Sequence, residues 1–287
     1  MSSYPSAKTH RPCFSVLTGW NPFAVLVAAI VWIAQCALFA EDVTVLIEGG
    51  TLPASSVLGA VAVAPFRMGS RETTWGEWKA VSEWAAANGY DIGGSGRGVT
   101  DTHPVQSVNW FDALKWCNAA SEKAGLAPVY LVDGTAYKKG DEVPAVNPDA
   151  SGYRLPGEAE WEWAARGGPK SRGRLYSGSN LINAVAWYYG NSSGESKPAG
   201  AKDSNELGLY DMSGNVWEWC WDAPSAAVAC RRVRGGSWFY FAAYCEVAYP
   251  GLSSHQSRRD NYIGFRVARR ADMPAGLPPL SELPPSN

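Results

Sequence analysis

Apolar positions along the chain recur with two kinds of spacing, helical and alternating. Trp75, Trp78, Val81 and Trp84/Ala85 fall on one face of a helix, with Thr74 and Glu77 as a capping box ahead of it and Asn88-Gly89 as its stop. A second helix is predicted after the cap Asn109, with Trp110, Ala113/Leu114 and Cys117 facing inward and Gly125 at its end. A third is predicted to carry Pro156 in its first turn, Glu158 and Glu160 at its positive end, and Gly167 at its close. Glu158 and Glu160 are two residues apart and so point in different directions, which argues against an acid–base couple. Residues 41–70 alternate, as in VLGAVAVAPFRMGS, and predict strands. Beyond Arg266 the chain turns proline-rich (PAGLPPLSELPPSN), and 271–287 is expected to be a disordered tail.

The N-terminus has a separate character. Lys8 and Arg11 precede the apolar run FAVLVAAIVWIA (Phe23–Ala34), and QCALFA carries it to Ala40 before Glu41-Asp42. This order predicts that residues 1–40 are a secretory signal peptide or an N-terminal membrane anchor, and that the rest is exported. The run alone is short of the ~20 apolar residues of a spanning helix. Export places Cys117, Cys220, Cys230 and Cys245 in an oxidising compartment, where four cysteines allow three pairings. No CxxC pair occurs and the histidines (His10, His103, His255) are scattered, so a Cys/His zinc site is not expected.

Composition narrows the class. With 25 basic against 27 acidic residues there is no basic stripe, which excludes nucleic acid as a partner. The 14 Trp and 30 Gly predict a loop-rich fold whose core is built from large aromatics.

Seven segments occur in order: FRMGS, ETTWGEW, HPVQSVNWFDALKWCN, YRLPGEAEWEWAARGG, NELGLYDMSGNVWEW, RVRGGSW and IGFR. Together they resemble the formylglycine-generating enzyme family, also called sulfatase-modifying factor domains. The resemblance implies a single α+β domain over 58–270, low in regular secondary structure and related to C-type lectin-like folds. One departure is local: Met68-Gly69-Ser70 runs almost directly into Glu72-Thr73-Thr74-Trp75, where family members carry an edge hairpin. Iron-dependent sulfoxide synthases of the broader family need a His-rich partner domain, and this chain has neither the histidines nor the length.

Active family members bind Cu(I) through two cysteines after RGGS(Y/W) and oxidise a sulfatase cysteine to formylglycine. Carried over, the first cysteine falls at Tyr240 and the second at Cys245. A phenol is a harder ligand and stays protonated near neutral pH, so copper is not expected and Cys245 stands as a lone catalytic candidate. The resemblance also implies a Cys220–Cys245 disulfide; Cys220–Cys230, closing a short loop, competes with it. Family calcium sites map onto Asp211, Gly214, Val216 and Glu218, hard oxygen donors from one tight loop that suit a structural calcium ion. The competing expectation is a capped turn with Glu218 paired to an arginine. A second family site maps loosely onto Asn183, Ala184, Asn191 and Ser193 and retains no carboxylate.

Between the brackets RGGSW and IGFR lies an aromatic-rich segment read as a presentation loop. Its candidate ligand-binding residues are Phe239, Tyr240, Phe241, Tyr244, Tyr249, His255, Asp260, Asn261 and Tyr262. Trp238 and Phe265 are expected in the core. The segment also resembles the variable region of retroelement-diversified lectin-fold proteins, since many of these residues are reachable from an Asn codon by changing adenines. The expectation is an exported, non-catalytic domain binding a protein or glycan through 239–262, with the membrane reached only through the N-terminal segment. The alternatives are a formylglycine-generating oxidase using Cys245, with Ser237 and Trp217 shaping its groove, and a retroelement-diversified binding protein.

Overall fold

The computed structural model describes residues 44–92 and 94–271. The expected export segment, and the proline-rich tail apart from Ala271, lie outside the described residues. Among these, no helix is long and apolar enough to cross a membrane.

Among the described residues three helices of two turns or more, shorter helical turns and several short sheets make up an α+β domain. Helix α1 (Trp75–Ala87) opens with the expected capping box. Thr74 Oγ1 accepts from the Glu77 backbone and the Glu77 carboxylate accepts from the Thr74 N–H. Only Trp78 and Ala85 are buried on α1, while Trp75, Val81 and Trp84 are half-buried. Helix α2 (Trp110–Lys123), capped by Asn109, departs from the one-faced reading, because every residue from Trp110 to Ser121 is buried. Its polar side chains tolerate this because they are bonded. Asn118 Oδ1 accepts from Val129 and Tyr130, Lys115 donates to the Gly140 carbonyl, and Asp112 pairs with Arg259.

Helix α3 (Glu158–Ala165) starts two residues later than a first-turn Pro156 predicts. Gly157 is its N-cap and Pro156 lies outside the helix; Gly167 closes it at φ 91°. Its two first-turn carboxylates do diverge: Glu160 takes a bidentate Arg154, whereas Glu158 approaches Arg232 and Arg234.

The strand Thr44–Ile47 pairs antiparallel with Phe66–Gly69, which also pairs with Ala268–Arg270 near the far end of the domain. The folded body thus extends back to Thr44, and the N-terminal strands pack with Ile47, Phe66 and Met68 buried despite the short link to α1. That link carries Glu72, which is fully buried. A four-stranded sheet runs in the order Leu252–His255, Cys230–Arg234, Trp217–Trp219, Ile263–Gly264, with only the last pair parallel.

Two aromatic-rich clusters form the core. One joins Trp78, Trp110, Trp116, Trp217, Trp219 and Phe265; the other joins Ile47, Phe66, Met68, Trp161, Trp163 and Cys220. Trp78 stacks on Trp116 at 6.0 Å, and Phe265 meets both edge-on. Burying one indole removes ~200 Å² from water, about 5 kcal/mol at ~25 cal/mol/Å². Three of the indole N–H groups are bonded across the core: Trp110 to the Cys220 carbonyl, Trp219 to Val108 and Trp163 to Glu48.

Candidate functional site

Each bracket of the aromatic segment is held by a buried arginine. Arg234, 0% exposed, donates to Glu162 at 2.9 Å and to the Tyr249 carbonyl at 2.6 Å. Arg266, also 0% exposed, makes a bidentate pair with Glu218 at 2.7 and 2.6 Å. Trp238 ties the ends together, its backbone N–H donating to the Asn215 carbonyl and its indole to the Asn261 carbonyl. Trp238 and Phe265 are core residues, as expected.

Between these anchors none of the nine candidate residues is buried. Phe239, Phe241, His255 and Asn261 are exposed; Tyr240, Tyr244, Tyr249, Asp260 and Tyr262 are half-buried. Tyr240 is the hub, edge-on to Trp217 (5.4 Å), Phe239 (6.0 Å), Tyr244 (5.1 Å) and Tyr262 (5.6 Å). Phe239 stacks on Tyr262 at 5.5 Å, and Tyr249 joins through Tyr244 and Trp217. Such arrangements hold rings rigid at little entropic cost, so binding to them need not order them first.

Asp260 sits at the rim, paired with Arg258. Asn261 contributes its carbonyl to Trp238. His255 is not part of the ring network: it lies on the edge strand opposite Cys230, with Nδ1 bonded to Ser257.

Tyr189, which lies outside the candidate segment, belongs to the same surface. It is 60% exposed, contacts Phe241 edge-on at 5.2 Å, and donates its backbone N–H to the Tyr240 carbonyl. The one sequence signal was a Tyr-Tyr doublet before Gly190. With Phe239 at 54% and Phe241 at 65% exposure, three rings stand in solvent. The floor is Trp217, 0% exposed, whose indole N–H has no hydrogen-bond partner. A hollow of about 610 Å³ lies elsewhere, lined by Trp75, Trp78 and Tyr90 among others.

Cys245 lies at the end of a 3₁₀ turn (Ala242–Cys245), 1% exposed and packed with Tyr176 and Val185. Burial pushes its thiol up to about 12, so it is protonated at neutral pH. No second sulfur accompanies it. Cys117, Cys220, Cys230 and Cys245 are all free thiols, and Cys220 belongs to a different core cluster from Cys245. Neither the Cys220–Cys245 nor the Cys220–Cys230 disulfide is formed.

The calcium set of Asp211, Gly214, Val216 and Glu218 does not fit the ion. Glu218 is 0% exposed, and its two oxygens already accept from Arg266 twice and from the Trp161 indole at 2.7 Å. Asp211 offers one partnerless oxygen, the other accepting from the Gly200 N–H. Among the described residues no three acidic, imidazole or thiol side chains converge as metal ligands. The Arg266 guanidinium supplies the positive charge instead. At the second set Lys202 does the same, donating to the Asn183 carbonyl, while the Ala184 carbonyl accepts from Asp203. Glu72, bonded to the Val216 N–H and the Asn215 amide, shares the Arg266 cluster. Burial and then the neighbouring Asp211 and Glu218 raise its carboxyl well above the usual range, and burial raises Asp211.

The loop-rich α+β frame is of the sulfatase-modifying factor class. The family model for the sulfatase-modifying factor enzyme 1-like domain matches residues 34–271, and the chain belongs to that family. It is similar to the chaperone protein LppX of Paenibacillus barcinonensis, 34% identical over 264 residues, 79% of this chain and 91% of the relative. Among solved structures it resembles CarF, at TM-score 0.71 and 32% identity over 80% of this chain and 98% of that one. It also resembles Treponema denticola variable protein 1, at TM-score 0.65 and 29% identity over 80% and 94%.

Proposed function

We propose that this is an exported, non-catalytic member of its family that binds a protein through the surface built by Tyr189, Phe239, Phe241 and the tyrosines behind them. One observation carries the reading. The single thiol at the family's metal position is buried and protonated, while the rings beside it stand in solvent. Cu(I) is held by a pair of thiolates, and one buried cysteine beside a tyrosine cannot supply both. The likeness to a protein called a chaperone favours a protein over a glycan as ligand. A domain whose positions 239–262 vary between copies, as in retroelement-diversified proteins, is the second reading. It draws on the likeness to the Treponema variable protein.

The test uses peptide and glycan arrays probed with the wild type and with Tyr189→Ser/Phe239→Ser/Phe241→Ser. Aromatic anchors at an interface centre are worth about 2 kcal/mol each, so the variant should lose array signal by at least about tenfold with its melting unchanged. Array binding that survives the triple substitution contradicts the surface assignment.

A further inference from the structure

Between α3 and the one-turn helix Ile182–Val185 the chain reads Pro169-Lys170-Ser171-Arg172-Gly173-Arg174-Leu175, and every residue of this run is exposed. Lys170, Arg172 and Arg174 have no ion-pair partner among the described residues. The nearby Arg166, by contrast, is committed to Glu162 at 2.7 Å. The whole chain carries a net charge of −2, so this concentration of unpaired cations is local.

Two large apolar side chains stand at its C-terminal end, Leu175 and Leu181. Leu175 is 45% and Leu181 74% exposed, separated by a tight turn in which Tyr176 and Ser179 pair. Beside the run lies a hollow of about 380 Å³ lined by Lys170, Arg172, Gly178, Ser204, Asn205 and Glu206. Asn205 is committed internally to Ala164, Ser177, Leu207 and Leu209, and Glu206 is the one carboxylate of the lining. The Ser204 side chain and the two cations remain for a ligand.

We propose that this basic loop, with the two exposed leucines at its C-terminal end, docks the domain on an anionic lipid surface, with a headgroup phosphate held between Lys170 and Arg172. Each cation near such a surface contributes about 1 kcal/mol, and the leucines can enter the headgroup–acyl boundary. The leucines decide the partner class. A soluble polyanion rewards the three cations equally and leaves Leu175 and Leu181 in water, whereas a bilayer takes up both. The contact is additional to whatever the N-terminal apolar run does, and it lies apart in sequence from the aromatic face.

The experiment is co-sedimentation of the full chain with phosphatidylcholine vesicles, with and without phosphatidylglycerol. The N-terminal run can bind either vesicle, so the readout is the excess on anionic ones. Wild type is expected to show that excess and to lose it as salt is raised. Lys170→Ser/Arg172→Ser/Arg174→Ser should reduce anionic partitioning on the order of 100-fold, and Leu175→Ser/Leu181→Ser about tenfold. Both variants change exposed positions and should melt with the wild type. Equal binding to both vesicles, or an excess that survives the triple substitution, overturns the proposal. So does a leucine variant that binds normally while heparin competes fully, an outcome that identifies an acidic polymer instead.

Discussion

Gly236 lies directly over Cys245: a Cβ built on Gly236 would stand 2.6 Å from the Cys245 sulfur and 2.8 Å from the Tyr244 carbonyl oxygen. The RGGS turn therefore seals the thiol beneath backbone, and at φ 81° only glycine adopts that turn without strain.

Gly236→Ala should consequently destabilise the domain by about 3 kcal/mol, combining left-handed strain with a backbone clash. Gly89→Ala is the control. Its φ is 82°, but nothing lies within 4 Å of the added Cβ, so only the strain of about 1 kcal/mol remains. Urea unfolding of the two variants measures the difference, and equal losses would show that the seal is loose.

Arg266→Met leaves Glu218 buried without its partner and should cost about 3–5 kcal/mol in urea unfolding. Because Arg266 occupies both Glu218 oxygens and Lys202 the Asn183 carbonyl, adding calcium or a chelator should leave the melting temperature unchanged. A calcium-dependent rise in melting temperature would show that the guanidinium does not replace the ion.

The carboxyl of Glu72 is raised in the folded state by burial and then by Asp211 and Glu218, and that of Asp211 by burial. A raised carboxyl releases its proton in the unfolded chain first. Its stabilising contribution is complete below the unfolded value of about 4.5 and is lost as pH climbs toward the folded value. Glu72→Gln should therefore flatten the fall in stability above about pH 5, even though it weakens the acceptor facing Val216 and Asn215. Denaturant titrations across pH give the slopes, and an unchanged slope would remove Glu72 as the group responsible.

Phe239→Ser and Phe241→Ser remove rings that are more than half exposed, and each should change stability by less than about 1 kcal/mol. Tyr240→Ser should cost about 2–3 kcal/mol, because Tyr240 touches four other rings. Thermal melting separates display from packing, and a costly Phe241→Ser would reassign that ring to the core.

What the sequence revealed and what it hid follow one physical division. The caps of α1 and α2 are local hydrogen-bond chemistry, and Thr74, Glu77 and Asn109 announced them. The all-round burial of α2 was hidden because Asn118, Lys115 and Asp112 look like a solvent face until their distant partners are known. Tyr189 reaches Phe241 across about fifty residues of irregular chain, a juxtaposition that no periodicity encodes. The same holds for Arg266 on Glu218, expected only as the alternative to calcium, and for the cysteines, whose even number said nothing about which core cluster each enters.

The most direct measurement is mass spectrometry of a cysteine-containing sulfatase-type peptide after incubation with the purified protein, Cu(I) and oxygen. A buried, protonated Cys245 predicts that the peptide cysteine emerges unchanged. Aldehyde on that cysteine, abolished by Cys245→Ser, would contradict the account.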